Sequence, residues 1–134
     1  MRHLSVIIPI LISLLMASCQ CTQDPELSAF KSDGCSCFPE GPPGDPDLWE
    51  EDCRNHDYAY WKGGTREERK QADLIFRNDL RDKDKPVTAQ LAYAGVRVFG
   101  SPWLPFPWRW DFGWNDYCRG YEKVSEGDIP AVYQ

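Results

Sequence analysis

His56 is the one side chain in the body of this sequence suited to moving a proton near neutral pH. The other histidine, His3, sits in an apolar leader, so two-histidine metal motifs are excluded. No Gly-x-Ser-x-Gly elbow occurs, which argues against a serine nucleophile. If the residues around His56 are helical, Trp49, Cys53, His56 and Tyr60, spaced at 4, 3 and 4, share one face. Asp57 is then turned ~100° away, because a helix has ~3.6 residues per turn. Taken alone, such a pair is most simply an inward histidine beside a solvated acid. Chemistry requires further partners.

Asp73 is the first candidate. Gly63-Gly64 makes a turn short enough for the flanking helices to pack antiparallel. His56 lies seven residues before Gly63, and Asp73 eight after Thr65. At ~1.5 Å rise per residue both are about 11–12 Å from the turn. The Asp73 carboxylate can therefore reach one His56 nitrogen and leave the other free to take a proton from water. The competing arrangement pairs Asp73 with Arg69 or Arg77, each four residues away. The second candidate is the Gly- and Pro-rich loop from Asp33 to Asp47. Were Cys37 bonded to Cys53, carbonyls of Ser36, Phe38 and Glu40 could converge with the Asp57 carboxylate. Mixed carbonyl and carboxylate oxygens are what calcium takes.

The elements that must position these residues are helices. Asp47 with Glu50 reads as a capping box, opening a helix that runs to about Lys62 and stops at Gly63-Gly64. Thr65 with Glu68 reads as a second box, opening a helix to roughly Asp82. Asp84 to Val87, with Pro86, breaks the pattern, and Thr88 to about Val98 forms a third, more apolar helix. Phe99 to Tyr117 is irregular and rich in Trp and Pro, and a polar tail follows. Nothing alternates long enough for a strand, so the domain is expected to be all-α.

The chain has 134 residues and a formal charge of -6, which argues against a nucleic-acid partner. Ten acidic residues fall between Asp24 and Asp57 against Lys31 and Arg54, a balance that suits solubility and also a hard divalent cation. Residues 1–18 read as a signal peptide, too short to span a bilayer as a mature helix. Ala17-Ser18-Cys19 looks like a bacterial lipobox, with Cys19 lipidated as the new N-terminus; ordinary cleavage near Ser18 without lipid is the alternative. Residues 19–32 are then a tether, with Cys21 left over, and residues 33–134 the domain. An exported, membrane-anchored lipoprotein facing the periplasm or cell exterior meets oxidising conditions, so Cys35, Cys37, Cys53 and Cys118 are expected in disulfides.

Together these residues resemble the secreted phospholipase A2 family. Its loop, G-C-x-C-x-x-x-G, reads here Gly34-Cys35-Ser36-Cys37-Phe38-Pro39-Glu40-Gly41, and its helix motif C-x-x-H-D-x-x-Y reads Cys53, His56, Asp57 and Tyr60. The resemblance covers about Asp33 to Leu80, plus Cys118. It implies a small disulfide-stapled domain with two antiparallel core helices and a calcium-binding loop. It makes His56 the general base, Asp73 its orienting partner, and Tyr60 the support of Asp73. Calcium would be held by Asp57 and the carbonyls of Ser36, Phe38 and Glu40, with the Phe38 amide meeting the oxyanion. The implied disulfides are Cys37–Cys53 and Cys35–Cys118. The family's bridge between the two long helices is missing, with Ala59 and Ala72 at its ends. Phe38 and Glu40 stand where the family prefers glycine, which bears on substrate choice. The implied partner is a phospholipid at a membrane surface, met by a monomer.

Trp103, Trp108, Trp110 and Trp114, with Phe106 and Phe112, can fill the core against Pro102, Pro105 and Pro107. They can also form an interfacial rim or line an acyl pocket. Two other functions fit parts of the pattern. Cys35, Cys37, Cys53 and His56 could form a Cys3His zinc site, against which export and the apparent pairing of Cys118 count. A catalytically silent lipid-binding lipoprotein would keep the disulfides without needing His56, Asp57 and Asp73 in register.

Overall fold

The computed structural model describes Cys21 and residues 24–134, so the expected signal peptide and Cys19 lie outside the described residues. Among the described residues three helices follow in order: α1 (Glu50–Lys62), α2 (Arg66–Asp82) and α3 (Pro86–Phe99). Two short 3-10 turns, Glu126–Asp128 and Ala131–Tyr133, close the chain. No described helix is long and apolar enough to cross a membrane.

The N-cap of α1 lies two residues later than its sequence suggests. Asp47 caps nothing with its side chain; the N-cap is Trp49, and the Glu50 amide donates to the Asp47 carbonyl as part of a turn. Tertiary bonds select this start. The Trp49 amide donates to the Glu40 carbonyl at 2.9 Å, and its indole donates to the Pro39 carbonyl. Glu50, Glu51 and Asp52 in the first turn still complement the helix dipole. At the other end Gly63 and Gly64 take φ of 73° and 133°, left-handed values that favour glycine. The Thr65–Glu68 capping box forms in both directions. Pro86 does not precede α3 but opens it, because the first helical turn needs no proline N–H.

α2 packs against both α1 and α3. Their shared core holds Trp49, Phe76, Leu80, Ala89, Ala92 and the Cys35–Cys53 pair. Leu80 is fully buried, a contribution of about 1.5–3 kcal/mol. A second layer covers the far side of α1. Trp110 and Trp114 are buried and donate their indole N–H groups to the carbonyls of Gly64 and Lys62, at 2.7 and 2.8 Å. Those carbonyls belong to the end and the turn of α1, where helix geometry leaves acceptors unpaired. For these two tryptophans the core role holds.

The cysteines pair differently from the expected pattern. Cys35 bonds to Cys53 and Cys21 to Cys118, with Cα–Cα distances of 5.0 and 5.2 Å, and Cys37 is an exposed free thiol. The expected Cys37–Cys53 and Cys35–Cys118 bridges are absent. One cause is local: the Phe38 amide bonds the Cys35 carbonyl, and this turn leaves Cys35 buried and Cys37, at φ 56°, outside. The other is long-range. Residues 26–28 pair antiparallel with 113–115 around the Leu27–Trp114 bridge, which carries Cys21 towards Cys118. The segment expected as a tether is thus pinned to the domain, and Cys21 is not left over. Closing 18 and 97 residues contributes roughly 3 and 4.7 kcal/mol on the chain-entropy model.

Candidate active site

His56 lies on the inward face of α1, and α2 brings Asp73 to the same height. Nε2 of His56 is 2.9 Å from Oδ1 of Asp73. Tyr60, one turn further along α1, donates its hydroxyl to the same oxygen at 2.8 Å. The imidazole is held between the rings of Tyr60 and Phe76, at centroid distances of 4.3 and 4.7 Å. Nδ1 of His56 has no hydrogen-bond partner among the described residues. Asp73 is completely buried. Burial alone would raise its pKa, but hydrogen bonds from His56 and Arg97, the His56 charge and the Tyr60 hydroxyl together hold it below the ordinary carboxylate value. For Tyr60 burial comes first and the Asp73 charge second, and both push the phenol up, so it remains a donor.

Asp57 faces a different setting. It is buried, accepts the Ser32 hydroxyl at 2.6 Å, and has no cationic partner among the described residues. Burial drives its pKa from 3.8 to about 6; the Ser32 bond opposes this and the Asp33 charge adds to it. A buried carboxylate short of positive charge, beside a loop of backbone carbonyls, suits a hard oxygen-seeking dication. Both residues border one cavity of about 320 Å³. Loop residues Gly34 to Phe38 form one side of it, and Leu91, Gly95, Val96 and Phe99 of α3 form another. Its remaining wall includes Phe76 and Trp108, the latter stacked on Phe106 at 5.0 Å. Leu91 and Phe99 are also exposed at its edge, and Trp103 is exposed on the irregular segment that follows.

No family model matches the chain, and no solved structure matches it. A secretory phospholipase A2 of Beauveria bassiana (strain ARSEF 2860) is 32% identical over 124 residues, covering 83% of this chain. This similarity supports a relationship to the secreted phospholipase A2 family. It spans 62% of that relative's length.

Within this phospholipase A2-like domain the expected residues are brought together unevenly. His56, Asp73, Tyr60, Asp57, Ser36 and Phe38 meet around or beneath the cavity. Glu40 does not border it: its carbonyl accepts the Trp49 amide, and its carboxylate folds back over Gly34, filling the space a Cβ would need there. The Phe38 amide, expected at the oxyanion, is donated to the Cys35 carbonyl at 2.7 Å. The Cys37 amide has no acceptor among the described residues. The Cys3His zinc arrangement does not form, since Cys35 and Cys53 are joined and His56 Nε2 is on Asp73.

Asp73 meets a histidine and two cations at once: Arg69, one of the two expected, as an ion pair, and Arg97, which was not expected, by a direct hydrogen bond. Arg77 lies over the Tyr93 ring, and Arg69 Nε stays 3.9 Å from Oδ2 of Asp73. Arg97 of α3 takes that oxygen instead. Arg97 and Ser32 carried no sequence signal, because each reaches the site only through folding: Arg97 is 24 residues from Asp73 and Ser32 25 from Asp57.

Proposed function

We propose that this phospholipase A2-like domain hydrolyses a fatty-acyl ester of a phospholipid by a calcium-dependent reaction using a histidine-activated water. The observation that supports it most is the His56–Asp73 bond at Nε2, in a ring whose Nδ1 has no partner among the described residues and which borders an apolar cavity. An ionised Asp73 only accepts hydrogen bonds, so Nε2 carries the proton and Nδ1 is the basic nitrogen. His56 takes a proton from water at Nδ1, and the resulting hydroxide attacks the ester carbonyl. The same proton is then delivered to the leaving alkoxide. Among the described residues no serine or cysteine side chain is hydrogen-bonded to His56, so attack by water is direct.

Asp57 and the loop carbonyls of Ser36 and Phe38 would hold calcium. When bound there, calcium supplies positive charge for the substrate phosphate and for the carbonyl oxygen as it becomes an oxyanion. The Cys37 amide is a loop donor available for that oxygen. The cavity takes acyl chain between the loop and α3, and the exposed Leu91, Phe99 and Trp103 meet the lipid surface. The protein acts as a monomer, exported and anchored through lipidated Cys19.

Ester release from mixed phospholipid vesicles, with and without calcium, tests this reading. Calcium-dependent release of fatty acid is expected. Equal hydrolysis in excess chelator sinks the metal role, and binding without hydrolysis points to a silent lipid-binding lipoprotein.

A further inference from the structure

We propose that Arg97 is a positioning residue that, through Asp73, holds His56 in the single tautomer leaving Nδ1 free to accept a proton. This rests on the hydrolase reading above and adds a third helix to its base-orienting machinery.

The groups facing Asp73 are His56 and Tyr60 from α1, Arg69 from α2 and Arg97 from α3. His56 and Tyr60 both bond to Oδ1. Oδ2 receives Nη1 of Arg97 at 2.6 Å. Arg69, at 3.9 Å, is beyond hydrogen-bond range of Oδ2. Its donors go elsewhere: to the Tyr60 hydroxyl, to the Tyr121 hydroxyl, and to the carbonyls of Val96 and Arg97. Arg69 therefore braces α3, while Arg97 is the direct donor to Oδ2.

Two consequences follow for the imidazole. A carboxylate torsion is broad, so an unheld Asp73 could rotate its oxygens out of line with His56. Arg97 opposes that rotation. Arginine also stays protonated, so its contact keeps Asp73 an acceptor. A protonated Asp73 could instead donate to Nε2, moving the imidazole proton to Nδ1 and ending its use as a base. The clamp comes from the helix that walls the cavity, since Gly95, Val96 and Phe99 flank Arg97 in sequence.

Arg97→Gln and Arg97→Lys in the full chain test this. NMR of the nitrogen-15-labelled His56 ring distinguishes the tautomers without requiring turnover. Wild type should show one tautomer, protonated at Nε2. Arg97→Gln should show a mixture, and Arg97→Lys an intermediate pattern, because a lone ammonium on a flexible stem lacks the planar guanidinium's fixed donors. On phospholipid vesicles with calcium, kcat should fall about 10- to 100-fold for Arg97→Gln, as for other losses of orientation. It should fall less for Arg97→Lys, and KM should stay near wild type in both.

Wild-type tautomer populations and kcat in Arg97→Gln would overturn the proposal. If that variant does not fold, the same result in Arg97→Lys would do so. A loss confined to KM, or a wild type protonated at Nδ1, also overturns it. A wild type that hydrolyses no phospholipid sinks the hydrolase reading alone, and the imidazole spectra still decide the role of Arg97.

Discussion

Tyr60 lies directly against the backbone of Gly100: a Cβ on Gly100 would stand 2.5 Å from the Tyr60 hydroxyl oxygen and 2.6 Å from its ring carbon Cε1. The same hydroxyl bonds Asp73, so the end of α3 and the partner of His56 are separated by one ring. Gly100→Ala should therefore displace Tyr60, lowering stability by about 1–3 kcal/mol through overpacking. Turnover should fall with it. Thermal denaturation and ester-release assays check this, and an unchanged melting temperature would mean that Tyr60 yields without strain.

His56 and Asp57 are neighbours with separable duties. His56→Ala should reduce kcat by about 10²- to 10⁴-fold, the range for a lost general base, while calcium binding persists. Asp57→Ala should abolish both. Asp73→Asn should lower turnover with little effect on metal affinity. Calorimetry with calcium, run beside activity assays, separates the three; an active His56→Ala variant would end the proposed mechanism.

Without metal, Asp57 should weaken the fold as pH rises. Its folded pKa of about 6 exceeds the ordinary value of 3.8, so the folded state binds more protons than the unfolded state within that window. Stability from this group falls as pH climbs through the window, and the full penalty of about 3 kcal/mol is present above it. Asp57→Asn should then be the more stable protein at pH 7 in chelator, with the difference vanishing near pH 3. Added calcium should stabilise wild type and not the variant. Superimposable melting curves at pH 7 in chelator would remove the burial penalty from the account.

The thiol count distinguishes the disulfide pattern from the one expected on family grounds. Peptide mapping of oxidised residues 21–134 should yield Cys35–Cys53 and Cys21–Cys118. A maleimide should label one thiol, Cys37, under native conditions. Cys37→Ser should retain both bridges. Recovery of a Cys37–Cys53 peptide from native protein would contradict the observed pairing.

The meeting of His56 with Asp73 was legible in the chain, because it depends on short-range regularities. The helical repeat puts His56 and Tyr60 on one face, Gly63-Gly64 reverses the chain, and the Thr65–Glu68 box sets where α2 begins. Equal heights follow from rise per residue alone. What local pattern could not decide was every choice among equivalent partners far apart. Asp47 offered a cap, but bonds from Trp49 to Pro39 and Glu40 placed the start of α1 elsewhere. Arg69 and Arg77 had helical spacing to Asp73, yet Arg97 from α3 won its free oxygen. Cys35 and Cys37 are two residues apart, and only the turn that buries one and exposes the other selects the partner of Cys53. Sequence spacing limits which residues can share a helix face; which of several suitable partners arrives there depends on how distant segments pack, and that was left to the tertiary structure.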